Sequence, residues 1–245
     1  MSNHRLFINQ EQLTDTSLRL SKDKYRHLTK VLRLRKGETI ECVTETTLYI
    51  LTVKQFGDGL ITVSTQSQEP ISPSNSVQIT LIQCLPKLDK FSDILRRCTE
   101  LGVQNFVACI SERVDRKDQS KKIERWESVL ESAAEQSHQV SIPKLSPIVS
   151  LNDCHELECV KNADLKLVCW EEETAAHLKD CLTSFSSEKP APSIAIFIGP
   201  EGGLSGSEVD SLKSQGFSAC SIADSVLRVE NAGFLVCSNI LFYFK

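Results

Sequence analysis

The chain has no apolar run of the roughly 20 residues that a helix needs to cross a bilayer. Residues 1–10 lack the apolar core of a secretory signal, and the apolar stretch 232–244 is short and broken by Ser238 and Asn239. A soluble, cytoplasmic protein is expected, with no membrane partner. No two of the ten cysteines form a C-x-x-C pair, so they read as reduced, mostly buried thiols rather than as a disulfide framework. The densest group, Cys154, Cys159, Cys169 and Cys181 with His155 and His177, matches no common zinc spacing, and no metal is expected. Neither Gly-Lys-Ser/Thr nor G-x-G-x-x-G is present, which argues against ATP and NAD as ligands. There is no internal repeat and no low-complexity segment.

Apolar residues make up 40% and charged residues 24% of the 245 positions, an ordinary globular balance. A chain of this length accommodates two domains. The net charge of -4 excludes an indiscriminate nucleic-acid coat but not a local basic face. Arg19, Lys22, Lys24, Arg26, Lys30, Arg33, Arg35 and Lys36 form such a run, opposed within it only by Asp23. It is either a solvated surface or an RNA contact.

Up to about residue 68 the chain is rich in Thr, Val and Ile at strand spacing, with Gly37, Gly57 and Gly59 as turn signals. It predicts a small β domain interrupted by one helix over 23–34, which would set His27, Lys30 and Arg33 on one face. Residues 69–76 have linker composition, and the domains are set at 1–72 and 73–245. Beyond the linker, apolar runs at 77–85, 106–110, 165–170, 194–198 and 217–222 alternate with helical patterns at 87–101, 121–138, 174–182, 207–215 and from about 230. Such alternation predicts a mostly parallel sheet covered on both faces.

The run Ile194-Ala195-Ile196-Phe197-Ile198 leads into Gly199-Pro200-Glu201-Gly202-Gly203-Leu204-Ser205, a buried strand, a glycine-rich loop and a helix start. Ligands of open α/β sheets bind at the carboxyl ends of the strands. Glycines there can take positive φ and turn backbone N–H groups toward a polar ligand. About 25 residues on, Leu227-Arg228-Val229-Glu230-Asn231-Ala232 follows a further strand end.

Together these two segments resemble the SPOUT class of S-adenosylmethionine (SAM) dependent methyltransferases and, within it, the RsmE family, which makes 3-methyluridine in small-subunit ribosomal RNA. His4-Arg5-Leu6-Phe7-Ile8, the block 27–38, Lys87 to Lys90, 99–103, Ser111-Glu112-Arg113, Arg125-Trp126 and 131–137 match the family in the same order. The likeness thus covers nearly the whole chain. It implies an α/β fold of SPOUT type, a mostly parallel sheet with a C-terminal trefoil knot, preceded by a small PUA-like β-barrel that helps hold RNA. It also implies SAM as cofactor, 16S rRNA within the small ribosomal subunit as partner, and a homodimer.

By the same resemblance, Trp170, Glu171, Ile198, Gly199, Pro200, Glu201, Gly202, Gly203, Ile222, Leu227, Arg228, Asn231 and Ala232 are the cofactor-site candidates. Arg5, His27, Arg33, Arg35 and Lys36 are the RNA-contact candidates. Methylating N3 of uracil means removing its proton, so a cation that stabilises the resulting anion is needed. Arg228 is the candidate for that role, and Glu230 for accepting the proton or orienting Arg228. Glu230 could equally serve the helix start, Glu201 could cap a helix, and Trp170 could be core.

Two departures from the family pattern stand out. His138-Gln139 replaces its Gly-Arg, and Val229 and Asn231 replace two threonines. A related enzyme with another RNA target or another target atom, a non-catalytic RNA-binding factor and, last, a structural zinc protein are the alternative readings.

Overall fold

The structure is a computed structural model that describes residues 4–72, 76–87, 90–114, 122–185, 187 and 189–245. It divides into two compact units, Met1–Pro73 with Ala134–Ile142, and Ser74–Ala133 with Pro143–Lys245. The boundary set at 72/73 adjoins residues 73–75, and the expected helices include residues 88, 89 and 121; all of these lie outside the described residues.

The first unit is a five-stranded sheet in the order β1 (His4–Phe7), β3 (Thr39–Val43), β4 (Thr47–Phe56), β5 (Leu60–Pro70), β2 (Ser17–Arg19). Its β1/β3 pair is parallel and the others are antiparallel. Leu18, Leu28, Ile40, Leu51 and Ile61 are fully buried in its core, each contributing on the order of 1.5–3 kcal/mol by leaving water. Burial also pushes the Cys42 thiol up to about 12, so it stays protonated and inert.

The single helix expected over 23–34 is shorter and of mixed type. Helix α1 (Lys22–Arg26) runs into one π turn over His27–Val31, and Arg33 has φ 55°. Arg33 therefore lies beyond the helix rather than on a face shared with His27 and Lys30. The buried side chains of Leu28 and Leu34, six residues apart, anchor this turn to the core. The expected linker also begins later than its composition suggests. Glu69 and Pro70 pair with Leu48 and Thr47 at the end of β5, where proline's missing N–H costs little.

The second unit holds a sheet in the order β12 (Ser218–Cys220), β10 (Leu165–Cys169), β11 (Ser193–Ile198), β6 (Gln78–Cys84), β7 (Asn105–Ile110), β8 (Lys144–Leu145), with β9 (Val149–Ser150) also on β7. Every pair in it is parallel. Central strands buried on both faces explain the unbroken apolar runs in the sequence; the residues of β11 from Ile194 to Phe197 are wholly buried. The helices are α2 (Lys90–Leu101), α3 (Ile123–Gln136), α4 (Glu158–Lys161), α5 (Leu178–Ser184), α6 (Gly206–Ser214) and α7 (Val229–Tyr243). Trp126 of α3 packs edge-on against Phe91 of α2 at 4.7 Å. Strands β8 and β9 and helix α4 have too few residues to show a period. Among the described residues no helix is long and apolar enough to cross a membrane.

Candidate active site

The carboxyl ends of β10, β11 and β12 open into one cleft in the second unit. Its walls are the segment after β10 (Cys169, Trp170, Glu171), the glycine-rich loop after β11 and the segment between β12 and α7. The empty space amounts to about 750 Å³ with its open mouth included. Among the described residues no lysine, arginine or histidine lines it, whereas Glu171, Glu201 and Asp224 do.

The loop's shape follows from its glycines. Gly203 has φ +70°, and a Cβ there would collide with the Glu171 carboxylate; a Cβ on Gly199 would press on Leu204 at 3.0 Å. At Gly203 it is the positive φ that calls for glycine, because the Glu171 carboxylate ends a flexible side chain that can move aside. The buried Gln83 of β6 donates from Nε2 to the Gly199 carbonyl at 3.4 Å, and Arg113 donates to the Gly202 carbonyl. The loop ends in a capping box, with Ser205 Oγ accepting from the Glu208 N–H and Glu208 accepting from the Ser205 N–H at 2.9 Å. Capping is one alternative role for Glu201, but Ser205, with Glu208 completing the capping box, fills it. Glu201 instead accepts from the Lys87 N–H at 3.0 and 3.1 Å.

Ten of the thirteen cofactor-site candidates line the cleft: Trp170, Glu171, Ile198, Gly199, Pro200, Glu201, Gly203, Ile222, Leu227 and Ala232. Gly202, Arg228 and Asn231 are not among its lining residues. Arg228 is exposed and N-caps α7, between two neighbours that do line the cleft. Asn231 Oδ1 accepts from Arg97 at 3.2 Å; the same guanidinium donates to the Glu230 carbonyl and lies 4.5 Å over the Phe234 ring. The Trp170 indole N–H is buried with no hydrogen-bond partner among the described residues.

Glu230 points to Lys90, whose ammonium is 3.1 Å from its Oε2. Hydrogen bonding from its own backbone N–H, then the Lys90 contact, outweighs desolvation and holds its carboxyl below the ordinary value. A carboxylate so stabilised is a weak base.

Sequence reasoning missed Cys169 beside Trp170 and, in the wall between β12 and α7, Ser221, Ala223, Asp224, Ser225, Val226 and Val229. The only available signal was position between a strand end and a helix. Ser221 is fixed by His177, its Oγ lying 2.6 Å from Nδ1.

The RNA-contact candidates separate by environment. His27, Arg33, Arg35 and Lys36 are exposed. Arg5 is spent internally: its side chain is 7% exposed, it meets Glu41 Oε2 at 2.7 Å through Nε and Nη2, and it donates to the carbonyls of His138 and Gln139. His138 Nδ1 lies 3.1 Å from the same Glu41 oxygen. His138 has φ 56°, a left-handed conformation that favours glycine. Among the described residues no group of three potential metal ligands occurs, and all ten cysteines are free.

Residues 73–241 match the family model of the RNA methyltransferase domain. The ribosomal RNA small subunit methyltransferase E of Bacillus subtilis is 25% identical over 250 residues, covering 98% of this chain and 96% of its own. That of Synechocystis is 28% identical over 242 residues, covering 97% and 77%. A crystal structure of ribosomal RNA small subunit methyltransferase E from Neisseria gonorrhoeae, bound to S-adenosyl methionine, shares the fold with a TM-score of 0.81 at 24% identity, over 98% of this chain and 97% of that one. With about two thirds of its length matched by the family model, this chain belongs to the RNA methyltransferase domain family.

Proposed function

We propose that the protein transfers a methyl group from SAM to N3 of a uridine in small-subunit ribosomal RNA, giving 3-methyluridine at the decoding-region position. The observation that carries the reading is the cleft at the carboxyl ends of β10 to β12, lined among the described residues by three carboxylates and no basic residue. Such a lining suits a cationic ligand and repels a polyphosphate. The names of the full-length relatives support the RNA substrate. The resemblance further suggests a trefoil knot through the segments that form the cleft, a PUA-like barrel for the first unit and a homodimer in the cytoplasm.

The residues present fit SAM. Gly203 leaves room for the Glu171 carboxylate beside the loop, and Trp170 lines the cleft. Bound there, SAM would supply a methyl group activated by a sulfonium. The chain then needs to align that group with the base rather than provide a nucleophile. Arg228, exposed at the start of α7, is the cation that would stabilise the uracil anion. Glu230, with its carboxyl held below the ordinary value and paired with Lys90, suits a fixed anion near Arg228 better than a proton acceptor. Exposed His27, Arg33, Arg35 and Lys36 would position the RNA through its phosphates; Arg5 drops out of that set.

Transfer of labelled methyl from SAM to small subunits lacking the modification, followed by digestion to nucleosides, tests this reading. Label in 3-methyluridine that disappears with Arg228→Ala is the expected result. Label in another nucleoside would change the substrate, and no label despite SAM binding would make this a binding factor.

A further inference from the structure

One ammonium joins two segments of the cleft that are far apart in sequence. Lys90, in the first turn of α2, lies 3.6 Å from Glu201 Oε1 in the glycine-rich loop and 3.1 Å from Glu230 Oε2 in the first turn of α7. The side chains of Lys90, Glu201 and Glu230 are 33%, 26% and 19% exposed, so water screens this trio less than an ordinary surface pair. Nearby contacts reinforce both ends. The Lys87 N–H donates to both Glu201 oxygens, and Arg97, two turns further along α2, donates to the Glu230 carbonyl and Asn231 Oδ1.

The loop is held through its backbone, by Gln83 at the Gly199 carbonyl, Arg113 at the Gly202 carbonyl and the capping box at Ser205, and these bonds do not involve the Glu201 side chain. Glu201 is the loop's charged side chain, and nothing within the loop would stop it from swinging into solvent. Without Lys90, moreover, two like charges that lie 3.6 and 3.1 Å from one ammonium would lose the cation between them. Among the described residues, the charged groups facing this point are Arg97 from α2 and Arg228 from the start of α7, besides Lys90 itself.

We propose that Lys90 is a positioning residue that ties the glycine-rich loop to the start of α7 and so preorganises the cleft for its ligand. The ligand-binding half of this inference rests on the SAM reading above; the tether itself does not. Preorganisation lowers the cost of binding without adding a contact to the ligand. Losing it therefore weakens affinity more than it slows the chemical step once the site is filled.

The test compares wild type, Lys90→Met, Lys90→Arg and Glu201→Gln by amide hydrogen exchange of the ligand-free protein, SAM titration calorimetry and methyl-transfer kinetics. Lys90→Met should speed exchange in both 199–205 and 223–232 while leaving β6 and β7 protected, and Lys90→Arg should restore both. Glu201→Gln should loosen only 199–205, since Lys90 keeps Glu230. For SAM, Lys90→Met should raise Kd and KM about tenfold, equivalent to about 1.4 kcal/mol, with kcat nearly unchanged. Unchanged exchange in either segment, or failure of Lys90→Arg to restore it, overturns the tether. Faster exchange with unchanged SAM affinity overturns its role in binding. A wild-type protein that does not bind SAM sinks the functional reading, and the exchange data then judge the tether alone.

Discussion

The carboxylate of Glu171 stands where the Cβ of any residue other than glycine at position 203 would have to be. Gly203→Ala therefore meets two penalties, a left-handed backbone at φ +70° costing about 1–2 kcal/mol, and displacement of Glu171. Reduced stability in denaturant and at least a tenfold loss of SAM affinity are expected. Adding Glu171→Ala should recover stability by removing the clash but not the backbone term. A Gly203→Ala protein as stable as wild type would contradict this geometry.

The chain has two tryptophans, and they differ in the way a binding assay needs. Trp170 lines the cleft, whereas Trp126 is 1% exposed in the core beside Phe91. SAM should therefore change the intrinsic fluorescence through Trp170 alone. Titration of Trp170→Phe should leave the emission flat, and a persisting signal would place the ligand elsewhere.

In the first unit, Glu41 sets an acid dependence. Burial works to raise its carboxyl, but hydrogen bonds from Arg5 and His138 and the charges of both outweigh burial and hold it below 4.5. A depressed folded value means that the stabilisation is present above the unfolded value and is lost as pH falls through the folded one. Glu41→Gln should thus be less stable than wild type at pH 7, by roughly 3 kcal/mol if the pair behaves as a buried one. The gap should narrow as pH drops below about 4.5; denaturant midpoints measured from pH 7 to pH 3 would reveal it.

Arg5 and the exposed basic residues should part company in an RNA-binding assay. Replacing Arg33, Arg35 and Lys36 with alanine should flatten the salt dependence of affinity by about 0.7–0.9 in log–log slope for each phosphate that is no longer neutralised, with little effect on unfolding. Arg5→Met should do the reverse, destabilising the unit because it leaves Glu41 short of its main partner. Equal salt slopes for wild type and the triple variant would remove this face from RNA binding.

The parts of the fold that were legible carry their own period or composition. Buried β11 reads as an apolar run, and the glycine-rich loop reads as a break between a strand and a helix. The 23–34 helix was misjudged because periodicity does not register a π turn or the left-handed Arg33 that follows it. The cleft wall over residues 223–226 carried no periodic signal either, since its backbone is neither strand nor helix.

What the sequence determined by itself is the alternation of strands and helices, the order of the motifs and, through their resemblance, the family. The tertiary structure alone decided which charges meet. Lys90 takes Glu201 and Glu230, Arg97 takes the start of α7, and Arg5 turns inward to Glu41. A pairing between residues 36 to 140 positions apart leaves no local trace, because its energy depends on distance and burial, which the chain acquires only when it folds.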